Sequence, residues 1–160
     1  MGPSRPLPGE YSEGLAPYIA HAAEGDVLVH LKAQAGEVAV LFGELTEAQG
    51  AFRYAPGKWS LKDLLQHLSD AERIFAYRCL RIGRGDTTPL PGWEEDDYAR
   101  TAKADGRPVA GLLTDFRATR LASLELFRSL PEAAWSSQGT SNGKILSARS
   151  VPYVLSLIHI

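Results

Sequence analysis

The sequence predicts an all-α fold, a four-helix bundle, on three observations. Three stretches of about 20 residues repeat apolar side chains at steps of three and four. Each is bounded by Gly, Pro or a capping residue. A fourth apolar stretch opens near Ser147. At the rise of an α-helix, stretches of that length are roughly 30 Å long, the scale of a bundle.

Residues 1–24 are rich in Pro and Gly and read as a lead-in wrapping the surface, with a short helical turn around Leu15 to Ala23. Residues 25–160 form the bundle domain. The first long helix follows Gly25, with Asp26 as N-cap, and its seam is Leu28, Leu31, Ala35, Val38, Phe42 and Leu45. A turn over residues 46–55 leads to the second helix, about 61–83. Ser60 followed by Asp63 has the serine-x-x-acid form of an N-terminal cap, and Gly83 and Gly85 mark the end. Leu61, Leu64, Leu65, Leu68, Ala71, Ile74, Phe75, Cys79 and Ile82 share one broad stripe, with Gln66, Asp70 and Arg73 on the opposite side and His67 on the flank. The stretch from Asp86 to Arg107 is too long for a tight link, and its acidic aromatic run Trp93 to Tyr98 is expected to form a short helix. Val109, Leu112, Leu113, Phe116, Ser123, Phe127 and Leu130 place the third helix at about 109–130, between Pro108 and Pro131. Trp135 to Lys144 reads as loop with a short extended piece, and the fourth helix begins after Ser147.

Composition sets outer limits on function. Of 160 residues, 44% are hydrophobic and 22% charged, as in an ordinary globular domain. The net charge of -2, with acids and bases interspersed, offers neither a basic stripe for nucleic acid nor a polybasic patch for a membrane. No apolar run approaches a membrane span, and Pro and Gly occupy the place of a signal-peptide core, so a cytoplasmic protein is expected. The single cysteine, Cys79, sits on an apolar face and reads as a small buried hydrophobe rather than a nucleophile.

His67 is the candidate chemical centre, because one imidazole is set on a helix otherwise built for a core. Taken alone, such a histidine also fits a hydrogen-bonded structural role. Arg78 and Arg120 fall on or near apolar stripes; two inward guanidinium groups suit carboxylates of a bound molecule, but the favoured reading is ion pairs to Glu72 or Glu125 or bonds to loop carbonyls. Asp70 beside His67 reads as solvent-facing, and Trp93 and Tyr98 as covers for a pocket mouth.

Several segments carry a resemblance: Gly25-Asp26, Arg53-Tyr-Ala-Pro-Gly-Lys-Trp-Ser60, His67, Glu72-Arg-Ile-Phe-Ala-Tyr-Arg78, Arg84-Gly-Asp-Thr-Thr-Pro-Leu-Pro-Gly92, Leu126-Phe-Arg-Ser-Leu-Pro131 and Gly139-Thr-Ser-Asn-Gly143. With these the chain resembles the DinB-like family, the DinB/YfiT-like metalloenzymes, as a small single-domain member. The resemblance implies an up-down-down-up bundle with one long crossover. It also implies a divalent metal, zinc or nickel, held by one histidine of the second helix and a His-x-x-x-His pair of the fourth. His67 matches the first ligand. Residues i and i+4 stack on one helix face, and three nitrogens leave a coordination position open. The implied activity is that of a metal-dependent thiol S-transferase or a hydrolase-like enzyme, with a small-molecule thiol and an electrophile as partners. The alternative is a non-enzymatic metal-binding or stress-responsive bundle, or an inactive fragment.

The chain departs from the family at its close. His159 falls one position after the expected first ligand of the pair, a rotation of about 100° on a helix. Leu155-Ser-Leu-Ile-His-Ile160 resembles a translated sequencing adapter, so these last residues read as non-native and the fourth helix as cut short. Two of the three ligands are therefore expected outside this chain, with metal bound weakly or not at all. Uncovered apolar stripes are expected to cause aggregation or a homodimer.

Overall fold

A computed structural model describes residues 2–157, and His159 lies outside the described residues. The described helices are α1 (Ala16–His21), α2 (Val27–Gly43), α3 (Glu47–Gly50), α4 (Leu61–Gly83), α5 (Glu95–Ala102), α6 (Val109–Ser129) and α7 (Ser150–Leu155), with a two-stranded hairpin of β1 (Gln138–Ser141) and β2 (Lys144–Ser147). Helices α2, α4, α6 and α7 make the bundle.

Local chemistry accounts for the helix starts. The Asp26 carboxylate accepts from the Leu28 N–H at 2.9 Å. At α4 the expected cap is reciprocal: the Asp63 N–H donates to Ser60 Oγ, and the Ser60 N–H to Asp63 Oδ2, each at 3.0 Å. Ser60 Oγ also donates to Asp105 at 2.7 Å, tying this helix start to the turn that precedes α6. Ser60→Ala removes the two bonds of the hydroxyl, to the Asp63 N–H and to Asp105, and a loss of about 1–2 kcal/mol is expected. Urea denaturation checks it; an unchanged midpoint would show that the capping geometry contributes nothing.

Contacts along the helices fix their directions. Gly83 faces Leu130 while Arg73 meets Asp115 and Lys62 donates to the Asp105 carbonyl, so α4 and α6 run parallel. Arg120 reaches the Leu31 carbonyl and Gly43 lies near Leu113, so α2 is antiparallel to α6. Cys79 contacts the Ala148 carbonyl, and Leu155 shares a groove with Leu68, so α7 runs opposite to α4. The order is up-down-down-up, with residues 84–108 as the crossover.

The apolar stripes meet in two clusters. One joins α1, α2, α4, α6, α7 and the hairpin around Leu31, Cys79, Ile82, Phe127, Trp135, Val151 and Val154. The other joins α2, α4 and α6 around Phe42, Leu65, Leu68, Leu112 and Phe116. Beside the second, an apolar groove of about 250 Å³ runs past Val38, Leu41, Leu45, Leu64 and Leu155.

The short extended piece expected within residues 135–144 is β1, and the second strand pairing with it, β2, was not expected. Asn142 and Gly143 have φ of 51° and 69°, the left-handed pair that a two-residue hairpin turn requires. The Asn-Gly dipeptide was the sequence signal for it. The hairpin in turn pins the crossover: the Leu90 N–H donates to the Thr140 carbonyl at 2.8 Å, and the Asn142 N–H to the Leu90 carbonyl at 2.9 Å. That anchoring sets the position of Trp93 three residues later.

Candidate functional site

His67 lies in the second turn of α4 and is 7% exposed. Two indoles cover its ring. Trp59, just before the helix, tilts against it with ring centroids 4.8 Å apart, and Trp93 from the crossover stacks at 5.5 Å with 14° between planes. Tyr98 of α5 meets Trp93 edge-on at 4.9 Å. Trp59 Nε1 donates to Asp96 at 3.0 Å, fixing α5 against the start of α4. Trp93, expected at a pocket mouth, thus lies over His67 itself, and Tyr98 buttresses Trp93.

Burial pushes the His67 imidazole below its ordinary range, and the charges of Glu95 and Asp70 oppose this only in part. The ring is therefore neutral at pH 7, the form in which an imidazole nitrogen serves as base or metal ligand. Asp70 is half-buried rather than turned to solvent: its carboxylate accepts from Gln66 Nε2 at 3.0 Å and lies 3.6 Å from Arg73. Gln66, expected on the outer side, is buried, and Arg107 from the turn before α6 donates to its amide oxygen.

The remaining candidates separate clearly. Arg120 is consumed by an ion pair, its Nε within 2.7 and 2.8 Å of the two Glu72 oxygens and its Nη1 2.8 Å from the Leu31 carbonyl. Arg78 bonds a loop carbonyl, that of Pro91, at 2.9 Å. His21 and His30 contact the carbonyls of Pro17 and Glu24, away from His67. Cys79 is buried and its thiol is pushed up to about 12 by desolvation, so it is no nucleophile at neutral pH.

Among the described residues, no group of three His, Cys, Asp or Glu side chains is arranged to hold a metal ion. His67 offers one nitrogen, and a three-donor centre does not fit the described residues alone. Among them, too, no helix is long and apolar enough to cross a membrane.

Comparison with known proteins agrees with the topology. A family model described as the DinB superfamily matches residues 30–159. YfiT from Bacillus subtilis, described as a probable metal-dependent hydrolase with an unusual four-helix bundle topology, superposes with a TM-score of 0.71 at 15% identity, covering 99% of this chain and 88% of that one. A mycothiol-dependent maleylpyruvate isomerase superposes with a TM-score of 0.64 at 16% identity, over 83% of this chain and 58% of that one. No curated protein matches the sequence.

Proposed function

The chain belongs to the DinB superfamily, and from that premise we propose metal- and thiol-related enzyme chemistry, with His67 as one nitrogen donor to a divalent metal. The supporting observation is the neutral, buried imidazole on the second bundle helix, where the resemblance puts a ligand. A structural neighbour described as a probable metal-dependent hydrolase favours the metal, and one described as a mycothiol-dependent isomerase favours a small thiol among the substrates. Bound zinc or nickel would lower the pKa of such a thiol and present it as thiolate. The other donors of such a centre are to be sought outside the described residues, and no step is derived through the ion. What this chain's own residues do is hold the imidazole neutral and sheltered from water between Trp59 and Trp93.

Those two indoles also favour a second reading, a non-enzymatic bundle in which His67 is a packing residue. Calorimetric titration with Zn²⁺ and Ni²⁺ distinguishes the two. Under the first reading the wild-type chain binds an ion weakly through His67, and His67→Ala weakens that binding by at least about tenfold, the loss seen when even an outer partner of a metal site is removed. Equal affinity in wild type and variant, with only thermal stability reduced, supports the packing role and removes the metal proposal.

A further inference from the structure

Arg78 and Arg120 are both buried, 6% and 4% exposed, yet they are satisfied differently. Arg120 has a carboxylate of its own, Glu72. Arg78 has the Pro91 carbonyl on one Nη and the Phe75 ring 5.1 Å below its guanidinium carbon. None of the ion pairs among the described residues includes it. A carbonyl takes one of the five N–H donors of a guanidinium and leaves its charge uncompensated. Keeping an ion in that state is costly unless a counter-ion arrives.

Arg78 also lines a cleft of about 300 Å³ between α4, the crossover and the hairpin, a volume at the small end of ligand pockets. Lys144 of β2 adds a second cation, Ser141 a hydroxyl, and Glu95 the one carboxylate among the described residues of the lining. Two positive groups and one negative leave the cleft with a charge of about +1, which suits one carboxylate better than a phosphate dianion. Phe75 and Trp93 supply apolar walls.

We propose that this cleft binds a small organic carboxylate, its charged end forked by Arg78 and its apolar body against Phe75 and Trp93. The planar guanidinium matches a carboxylate with two parallel N–H···O bonds, which an ammonium does not reproduce. Lys144, exposed on the strand, steers the anion in and reinforces it. This site stands apart from the metal reading, because it requires neither an ion nor turnover.

Glutarate and butyrate are the probes, titrated at constant ionic strength with a chelator present and followed by tryptophan fluorescence and calorimetry. Saturable binding is expected, with inorganic phosphate and chloride failing to compete. Arg78→Lys keeps the charge and loses the fork, and should weaken binding about tenfold or more, the value of a charge-assisted hydrogen bond. Lys144→Ala should weaken it about threefold, as for an exposed charge. No saturable binding, equal binding by a folded Arg78→Lys, or phosphate binding as well as carboxylate would each overturn the proposal. Should Arg78→Lys not fold, an unchanged affinity in Lys144→Ala overturns it and a reduced one supports it. The chelator keeps this result independent of the metal titration at His67.

Discussion

Arg120→Met is expected to destabilise the protein by about 3–5 kcal/mol, the cost of leaving one member of a buried ion pair alone. The pair is deep: the Glu72 and Arg120 side chains are 1% and 5% exposed. It also joins three helices, since Arg120 on α6 holds Glu72 on α4 and the Leu31 carbonyl on α2. Burial pushes the Glu72 carboxyl up from its ordinary value, and Arg120 and Ser123 oppose that rise. Without Arg120 the native pKa lies higher still. Between the unfolded value near 4.5 and that raised value, the native state keeps a proton that the unfolded chain has released, so stability falls as pH rises. Below pH 4.5 both states are protonated, and the carboxylate part of the loss disappears. Urea denaturation of wild type and Arg120→Met at pH 4 and pH 7.5 measures this, with the larger difference expected at pH 7.5. A difference independent of pH would show that the variant acts through lost packing. The double variant Glu72→Leu/Arg120→Met removes both charges, and should lose less stability than Arg120→Met alone.

A Glu72 ion pair and a loop carbonyl were both among the partners expected for the two arginines, and the structure shows which arginine takes which. A helical wheel placed Arg78 and Arg120 on inward faces, but it describes one helix at a time. Glu72 sits on the same helix as Arg78 and pairs across to Arg120, because the parallel register of α4 and α6 brings positions 72 and 120 together. Gln66 and Asp70 show the same limit from the other side. They lie off the apolar stripe, yet Arg107 from the turn before α6 donates to Gln66, which in turn donates to Asp70.

Features coded by neighbouring residues were legible. The bounds of α4 follow from the Ser60 and Asp63 cap and from the glycines at its end, and they coincide with the expected 61–83. The expected short helix near Trp93 begins at Glu95, since Trp93 itself turns inward onto His67. The imidazole's surroundings were less accessible. Trp59 and Trp93 are 34 positions apart, and the second indole reaches the ring only through tertiary contacts, among them Leu90 on the hairpin, the Pro91 carbonyl on Arg78 and Tyr98 against Trp93 itself. A short extended piece was expected here, but not its pairing with a second strand, because four-residue strands give little alternation to see and Asn142-Gly143 is the one strong mark of the turn.

Phe127→Ala is the second large loss expected, about 3–5 kcal/mol from the removed ring and the cavity left behind. Phe127 is 1% exposed and belongs to the cluster where α1, α2, α4, α6, α7 and the hairpin all meet. Its ring lies 6.4 Å from that of Trp135, which follows α6. Five neighbouring elements cannot close together around one deleted ring, because each is held by its own packing elsewhere. For a chain of this size the loss corresponds to a fall in melting temperature of about 10 °C or more. Leu121 on the same helix is the control. It is 60% exposed, and Leu121→Ala should stay within about 0.5 kcal/mol of wild type. Phe127→Leu, which keeps part of the volume, should fall between the two. Thermal melts followed by circular dichroism rank the three, and a Phe127→Ala melt matching that of Leu121→Ala would mean that this cluster does not hold the helices and the hairpin together.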